Sequence, residues 1–288
     1  MVPEQIEVRG SEGLRLVAHQ WRSQGSPVVF LHGFAHHGRA WDAVITQLPE
    51  TTRPIALDLR GHGDSDRAAA ASGYNISCHA ADLNEALKSL QIEEAALVGH
   101  SMGASIALRH AASPGAKTSC IALVDCGPPE SSAGTRKAIR DTQNSPQRVA
   151  NVAEYLRAIA SSYPLAEPRL LHSFAQSSLR ATSDGLFEEK FDARLKQSRP
   201  AEAAGLHLER FYRDLEQVRV PAMIARGIGS AILSRDVARA MVDRHLNDGT
   251  LAEIRGAGHA VPLDNPAALA IAIDGFLRDH SKTPEPRR

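Results

Sequence analysis

The chain has 288 residues, of which 43% are hydrophobic and 23% charged. This composition is typical of a globular protein with one large α/β domain or two small ones. The 33 basic and 33 acidic side chains balance, which argues against nucleic acid or a membrane surface as a partner. No apolar run approaches the roughly 18 residues of a membrane-spanning helix. Three cysteines without C-x-x-C spacing indicate reduced thiols and a cytoplasmic location rather than disulfides or a zinc site.

Short apolar runs alternate with segments of helical periodicity along most of the chain. The predicted strands are Ile6–Val8, Leu14–Trp21, Pro27–Leu31, Pro54–Leu57, Ala95–Val98, Thr118–Val124, Ala222–Ala225 and Thr250–Ile254. The predicted helices are Trp41–Leu48, Ser77–Leu90, the segment from the residues after Ser101 through His110, Asp236–His245 and a last helix from Pro266. The first two strands resemble an edge hairpin, and the later ones have the continuous apolar character of buried parallel strands. We therefore predict an α/β fold with a mostly parallel central sheet flanked by helices.

The region from Gly127 to Val220 interrupts this alternation. Its apolar residues recur at helical spacing over Val149–Ile159, Glu167–Ser178 and Glu202–Leu215. We interpret it as an inserted helical cap. The predicted division is therefore a core of residues 1–126 and 221–288 with a cap of residues 127–220.

A candidate nucleophile lies in Gly99-His100-Ser101-Met102-Gly103, which fits the pattern G-x-S-x-G. The pattern follows an apolar strand and precedes a helix, which is the context it requires. A sharp turn there exposes the serine hydroxyl, and small residues two positions away on each side avoid collision with the neighbouring strand and helix. The spacing predicts Ser101 at such a turn.

With this motif the chain resembles the α/β-hydrolase family over nearly its whole length. The other matching segments are His32-Gly33-Phe34, Asp58 to Ser65, and Gly256-Ala257-Gly258-His259. The resemblance implies a serine hydrolase. The sequence has no phosphate-loop or dinucleotide motif and no ligand spacing of the H-E-x-x-H kind, so we expect neither a cofactor nor a metal. The resemblance also agrees with the order of serine before histidine that selects His259, just after a late strand, as the general base.

Backbone N–H groups would stabilise the oxyanion of the tetrahedral intermediate. One is expected at Met102, directly after the nucleophile, and the other at Phe34, after the early strand. His36 and His37 follow Phe34 closely, so a substrate contact by either is a further hypothesis.

The acid that should orient His259 is less clear from the sequence. In the family it usually follows the strand after the cap in a G-x-x-D pattern, but here Ser230 occupies that place and no carboxylate is present. Asp125 ends the preceding strand, and we prefer it because a strand end faces the site. Asp236, near a predicted helix start, is the alternative acid, and a dyad without an acid or a lost activity also stays open.

The predicted reaction is hydrolysis of a small carboxylic ester or lactone through an acyl-enzyme on Ser101. The partner would be a small molecule, and the sequence does not define an oligomeric state. Two other hypotheses remain: a carbon–carbon bond hydrolase or cofactor-free dioxygenase on the same fold, and a non-catalytic ligand-binding receptor. Apolar residues of the predicted cap are expected to close over the substrate: Leu156, Phe174, Phe187 and Phe211.

Overall fold

The computed structural model describes residues 2–128, 133–196 and 204–280. Its strands are β1 (Glu4–Arg9), β2 (Arg15–Gln20), β3 (Ser26–Leu31), β4 (Thr52–Asp58), β5 (Ala95–His100), β6 (Thr118–Val124), β7 (Arg148–Val149), β8 (Leu179–Ala181), β9 (Phe187–Glu189), β10 (Ala222–Gly227) and β11 (Gly249–Ile254). Its α-helices are α1 (Asp42–Ile45), α2 (Ile76–Ser89), α3 (Met102–Ala111), α4 (Ala133–Asn144), α5 (Val152–Ile159), α6 (Pro168–Ser177), α7 (Ala204–Gln217), α8 (Arg235–Ala240), α9 (Val261–Asp264) and α10 (Pro266–His280). None of these described helices has the length and apolar character needed to cross a membrane.

The central sheet has eight strands in the order β1-β2-β4-β3-β5-β6-β10-β11. The pairs β1–β2 and β2–β4 are antiparallel, and the pairs from β4 through β11 are parallel. This confirms the predicted fold class, including the antiparallel hairpin at one edge. Because β3, β5, β6 and β10 run parallel, their carboxyl ends lie at one edge of the sheet, where the loops that follow them can meet.

Helices cover both faces of the sheet, which explains the continuous apolar runs of its central strands. Alternate residues of β5 point to opposite faces: Leu97 packs in the cluster that includes α2 and α3, and Val98 packs in the cluster that includes α1 and α10. Every residue of β5 is buried. Full burial of an apolar side chain such as Leu97 or Val98 contributes about 1.5–3 kcal/mol, so the strand that precedes Ser101 is held firmly from both sides.

The cap differs from the prediction because it is not purely helical. Between α4 and α7 the chain forms a three-stranded antiparallel sheet in the order β7-β9-β8 beside α5 and α6. These strands have two or three residues each, which is too short for an alternating pattern to be recognised. An apolar cluster joins Phe174 and Leu171 of α6 to Ala260 and Leu263, so the cap packs against the segment that follows His259.

The helix predicted over Glu202–Leu215 forms as α7, but it packs against the core rather than within the cap. Phe211 and Leu215 pack in the core cluster that contains α3, and Asp214 pairs with Arg109 of α3 at 2.5 Å. The expectation that Phe211 closes over a substrate is therefore wrong, because its ring lies in the core. The limits of the cap at residues 127 and 220 stay a prediction, although α7 already packs with the core.

Candidate active site

Ser101 lies at the turn between β5 and α3, with φ 51° and ψ −113°. A positive φ is uncommon for a residue with a side chain and stores strain that the surroundings must support. The two flanking glycines are required by space. A Cβ on Gly99 would stand 2.3 Å from the carbonyl oxygen of Gly103, and a Cβ on Gly103 would stand 2.2 Å from that of Leu31. The turn therefore has the geometry expected of a nucleophile elbow.

His259 and Asp125 meet although they are 134 residues apart in sequence. The Nδ1 atom of His259 lies 2.8 Å from Oδ2 of Asp125. His259 follows β11, and its side chain is 26% exposed, whereas the side chain of Asp125 is fully buried. With the carboxylate as acceptor, Nδ1 of the neutral imidazole carries the proton and Nε2 has a free lone pair.

Two further donors satisfy the buried carboxylate of Asp125. The hydroxyl of Ser230 donates to Oδ2 at 2.6 Å, and the backbone N–H of Gly227 donates to Oδ1 at 3.0 Å. Such bonds offset the cost of removing a carboxylate from water. Ser230 occupies the place where the resemblance leads one to expect an acid, and in the structure its hydroxyl donates to Asp125, which directly follows the neighbouring strand.

The alternative acid, Asp236, is not brought to His259. It is exposed in the first turn of α8, where a negative charge complements the helix dipole. The helix is capped by the hydroxyl of Ser234, which accepts from the N–H of Val237. The position of Asp236 thus fits a role in the helix, and the contact to His259 belongs to Asp125.

The two expected oxyanion donors lie at the ends of neighbouring strands. Met102 is the first residue of α3, and the first N–H groups of a helix have no acceptor within it. Phe34 follows β3 in a turn closed by the N–H of His36, which donates to the carbonyl of Gly33 at 3.1 Å. A Cβ on Gly33 would stand 2.6 Å from Nδ1 of His100, so glycine lets this turn approach the elbow closely.

A row of aromatic side chains continues from His259 toward the cap. His100 Nε2 lies 2.8 Å from the carbonyl oxygen of His259, and the two rings are 4.9 Å apart. His36 stacks on His100 at 5.6 Å, and its Nε2 lies 3.1 Å from the hydroxyl of Tyr163. Burial and the neighbouring His259 lower the pKa of His100 to about 3, so this histidine is neutral. Sequence reasoning missed Tyr163, which no motif marks.

Among the described residues, no group of three or more His, Cys, Asp or Glu side chains is arranged to hold a metal ion. His259 is hydrogen-bonded to Asp125, and its ring lies 4.9 Å from that of His100, the residue directly before Ser101. These contacts bring a candidate base and a candidate acid close to the candidate nucleophile.

A model of the alpha/beta hydrolase family matches residues 28–272, and the chain therefore belongs to that family. It is 27% identical over 274 residues to the 3-hydroxybutyrate-oligomer hydrolase of Cupriavidus necator, and this match covers 91% of this chain and 92% of that protein. It is also 26% identical over 258 residues to the 2-(acetamidomethylene)succinate hydrolase of Mesorhizobium japonicum, and this match covers 89% of this chain and 89% of that protein.

Solved structures agree with this assignment. An alpha/beta hydrolase from Novosphingobium aromaticivorans has a TM-score of 0.80 and 25% identity over 96% of this chain and 99% of that chain. An esterase from Mycobacterium tuberculosis has a TM-score of 0.78 and 22% identity over 96% of this chain and 92% of that chain. At the latter identity the likeness concerns the fold alone. The family and the curated relatives identify the chain as a hydrolase.

Proposed function

We propose that the chain is a serine hydrolase that cleaves a small carboxylic ester or lactone through an acyl-enzyme on Ser101. The observation that carries the proposal is the 2.8 Å hydrogen bond between His259 Nδ1 and Asp125 Oδ2. That bond fixes the tautomer in which Nε2 can accept a proton, and this is the form that a serine hydroxyl needs in its base.

The proposed reaction has two steps. The Oγ atom of Ser101 attacks the carbonyl carbon while His259 takes its proton, and the N–H groups of Met102 and Phe34 donate to the oxyanion. The alcohol leaves with the proton from His259, and the acyl group stays on Ser101. Water, deprotonated by His259, then attacks this ester and releases the acid. Asp125 stabilises the imidazolium formed in each step.

Three observations support the proposal. The Cupriavidus necator relative is a hydrolase of 3-hydroxybutyrate oligomers, and an oligomer of a hydroxy acid joined through its hydroxyl is an ester. The hydrogen bond from His259 to Asp125 also argues against a non-catalytic receptor, because it gives His259 a carboxylate partner although Ser230 stands at the usual place of the acid. Apolar cap residues, including Phe174 against His36 at 5.0 Å, support a substrate site beneath the cap.

We extend the proposal to the setting of the reaction. The partner would be a small molecule. Cys78, Cys120 and Cys126 are all free thiols, and burial raises the pKa of the last two to about 11. Reduced thiols support a cytoplasmic location for the enzyme.

Hydrolysis of p-nitrophenyl esters of increasing chain length tests the proposal. The wild type is expected to turn over at least the short esters, and Ser101→Ala is expected to lose this turnover. Ser113→Ala is the matched control and should keep the turnover, because the hydroxyl that it removes donates to the carbonyl of Arg109 near the end of α3 at 2.8 Å. Turnover that survives in Ser101→Ala would contradict the serine route.

A further inference from the structure

A short cap segment, Tyr163 to Leu165, contacts both loops that carry the proposed chemistry. At one end, the hydroxyl of Tyr163 lies 3.1 Å from Nε2 of His36, in the turn that contains Phe34. At the other end, the side chain of Leu165 lies 3.7 Å from the place where a Cβ of Gly258 would stand, next to His259. The segment therefore spans the site between the oxyanion turn and the base.

His36 holds the Tyr163 hydroxyl in a defined position. Its ring is buried, stacks on His100 with an interplanar angle of 28°, and meets the edge of Phe174 at 5.0 Å. His100 is the residue directly before Ser101. The tyrosine hydroxyl thus lies at the end of a row of ring contacts that starts at His259 and passes through His100 and His36, and Tyr163 is half-buried at the cap end of this row.

Both partners of this hydrogen bond are uncharged. Burial, and then His100, lower the pKa of His36 well below its ordinary value, while burial raises the pKa of Tyr163. A neutral imidazole can accept from the tyrosine O–H or donate to its oxygen, depending on the tautomer. In the first arrangement the tyrosine oxygen accepts a further hydrogen bond, and in the second its O–H donates one.

The charges near Tyr163 select against an anionic ligand. The charged groups that act on its hydroxyl are the carboxylates of Glu189, Asp141 and Asp264. Lys196 pairs with Glu189 at 2.6 Å and Lys137 with Asp141 at 2.5 Å. Asp264 lies in the loop after His259, where it accepts from the N–H of Gly258 at 2.8 Å. The two lysines offset Glu189 and Asp141, so the like charge that a substrate carboxylate would meet here comes from Asp264.

We propose that the Tyr163 hydroxyl, positioned by His36, determines specificity by binding an uncharged hydroxyl or oxo oxygen on the substrate's acyl chain. The substrate class is then the hydroxyacyl or oxoacyl esters rather than plain alkanoyl or dicarboxylate esters. This inference rests on the proposed function, because it concerns the ester that Ser101 attacks.

The first test compares kcat/KM for ethyl 3-hydroxybutyrate, each enantiomer separately, with kcat/KM for ethyl butyrate. The wild type is expected to prefer one hydroxyester. Tyr163→Phe should lower kcat/KM for that ester about tenfold, as loss of one net hydrogen bond predicts, and leave ethyl butyrate within about twofold. Tyr212→Phe, which alters a tyrosine of α7 packed on His245 at 4.5 Å, is the matched control and should change neither value. An equal loss for both esters in Tyr163→Phe would overturn the inference.

A binding measurement separates this inference from the proposed function. NMR titrations of Ser101→Ala and of Ser101→Ala/Tyr163→Phe with the same esters require no turnover. Tighter binding of the hydroxyester, lost with the Tyr163 hydroxyl, supports the inference even if the wild type hydrolyses neither ester, a result that would contradict the proposed function alone. Equal binding of both esters to Ser101→Ala would overturn the inference.

Discussion

Asp125→Asn is expected to lower kcat by about 10⁴-fold, because it changes the tautomer of His259. In the native site, Oδ2 of Asp125 accepts from His259 at 2.8 Å and from Ser230 at 2.6 Å, and Oδ1 accepts from Gly227 at 3.0 Å. An asparagine must direct its NH₂ group at one of these donor positions. Directed at His259, it forces the imidazole proton onto Nε2, where the base needs a lone pair. The loss corresponds to about 5 kcal/mol of transition-state stabilisation.

The assay is kcat for a p-nitrophenyl ester, with circular dichroism to show that the variant is folded. Asp236→Asn is the control, because Asp236 is exposed in α8, and it should leave kcat unchanged within about twofold. The double variant Asp125→Asn/Ser230→Asp should recover part of the activity. The hydroxyl of Ser230 lies 2.6 Å from Oδ2 of Asp125, the oxygen that accepts from His259, so a carboxylate at position 230 is placed close to His259. Similar mild losses from Asp125→Asn and Asp236→Asn would refute the assignment of the acid.

Two predictions concern stability. Burial lowers the pKa of His37 to about 4 and that of His100 to about 3, against about 6.5 in the unfolded chain. The stability that these two neutral histidines contribute is complete above about pH 6.5 and is lost as pH falls toward 4. Urea titrations should therefore give a lower unfolding free energy at pH 5 than at pH 7.5, with about 2 kcal/mol of the difference from each histidine. Equal unfolding free energies at the two pH values would contradict this. Gly103→Ala should lower the unfolding free energy by about 3 kcal/mol because its Cβ would stand 2.2 Å from the oxygen of Leu31. Gly275 lies in α10, and outside its own helix backbone no atom of the described residues lies within 4 Å of the place of its Cβ. Gly275→Ala should therefore raise the unfolding free energy by about 1 kcal/mol, and a similar loss in both variants would contradict the packing argument.

Features set by neighbouring residues were predictable from the sequence. The elbow at Ser101 depends on a strand, two glycines and a helix that adjoin one another in the chain. The buried parallel strands follow from continuous apolar runs, and the edge hairpin follows from alternation. In each of these cases the structure agrees with the prediction because the pattern and the contacts it produces lie within the same segment.

The carboxylate that contacts His259 was harder to predict because this contact depends on the order of the strands. Asp125 reaches His259 only because β6 lies beside β10 and β10 beside β11. The sequence shows that Asp125 ends a strand, but strand order is a property of the assembled sheet. The support of Asp125 by Ser230 depends on the same adjacency.

Two other outcomes lay beyond the sequence for physical reasons. An amphipathic pattern predicts that α7 buries one face but does not say which surface it covers, and Phe211 packs in the core instead of the cap. The pairing of His36 with Tyr163 joins residues 127 positions apart, and no local pattern reports it. The suggestion of a substrate contact at His36 came from its place beside Phe34 alone.

The covalent intermediate is the most direct test of the central claim. The wild type is mixed with p-nitrophenyl butyrate, quenched in acid within the first turnovers and digested, and the peptides are measured by mass spectrometry. We predict one added butyryl group on the peptide that contains Ser101, and no such adduct in Ser101→Ala. Turnover without an adduct on that peptide, or an adduct that persists in Ser101→Ala, would contradict the account.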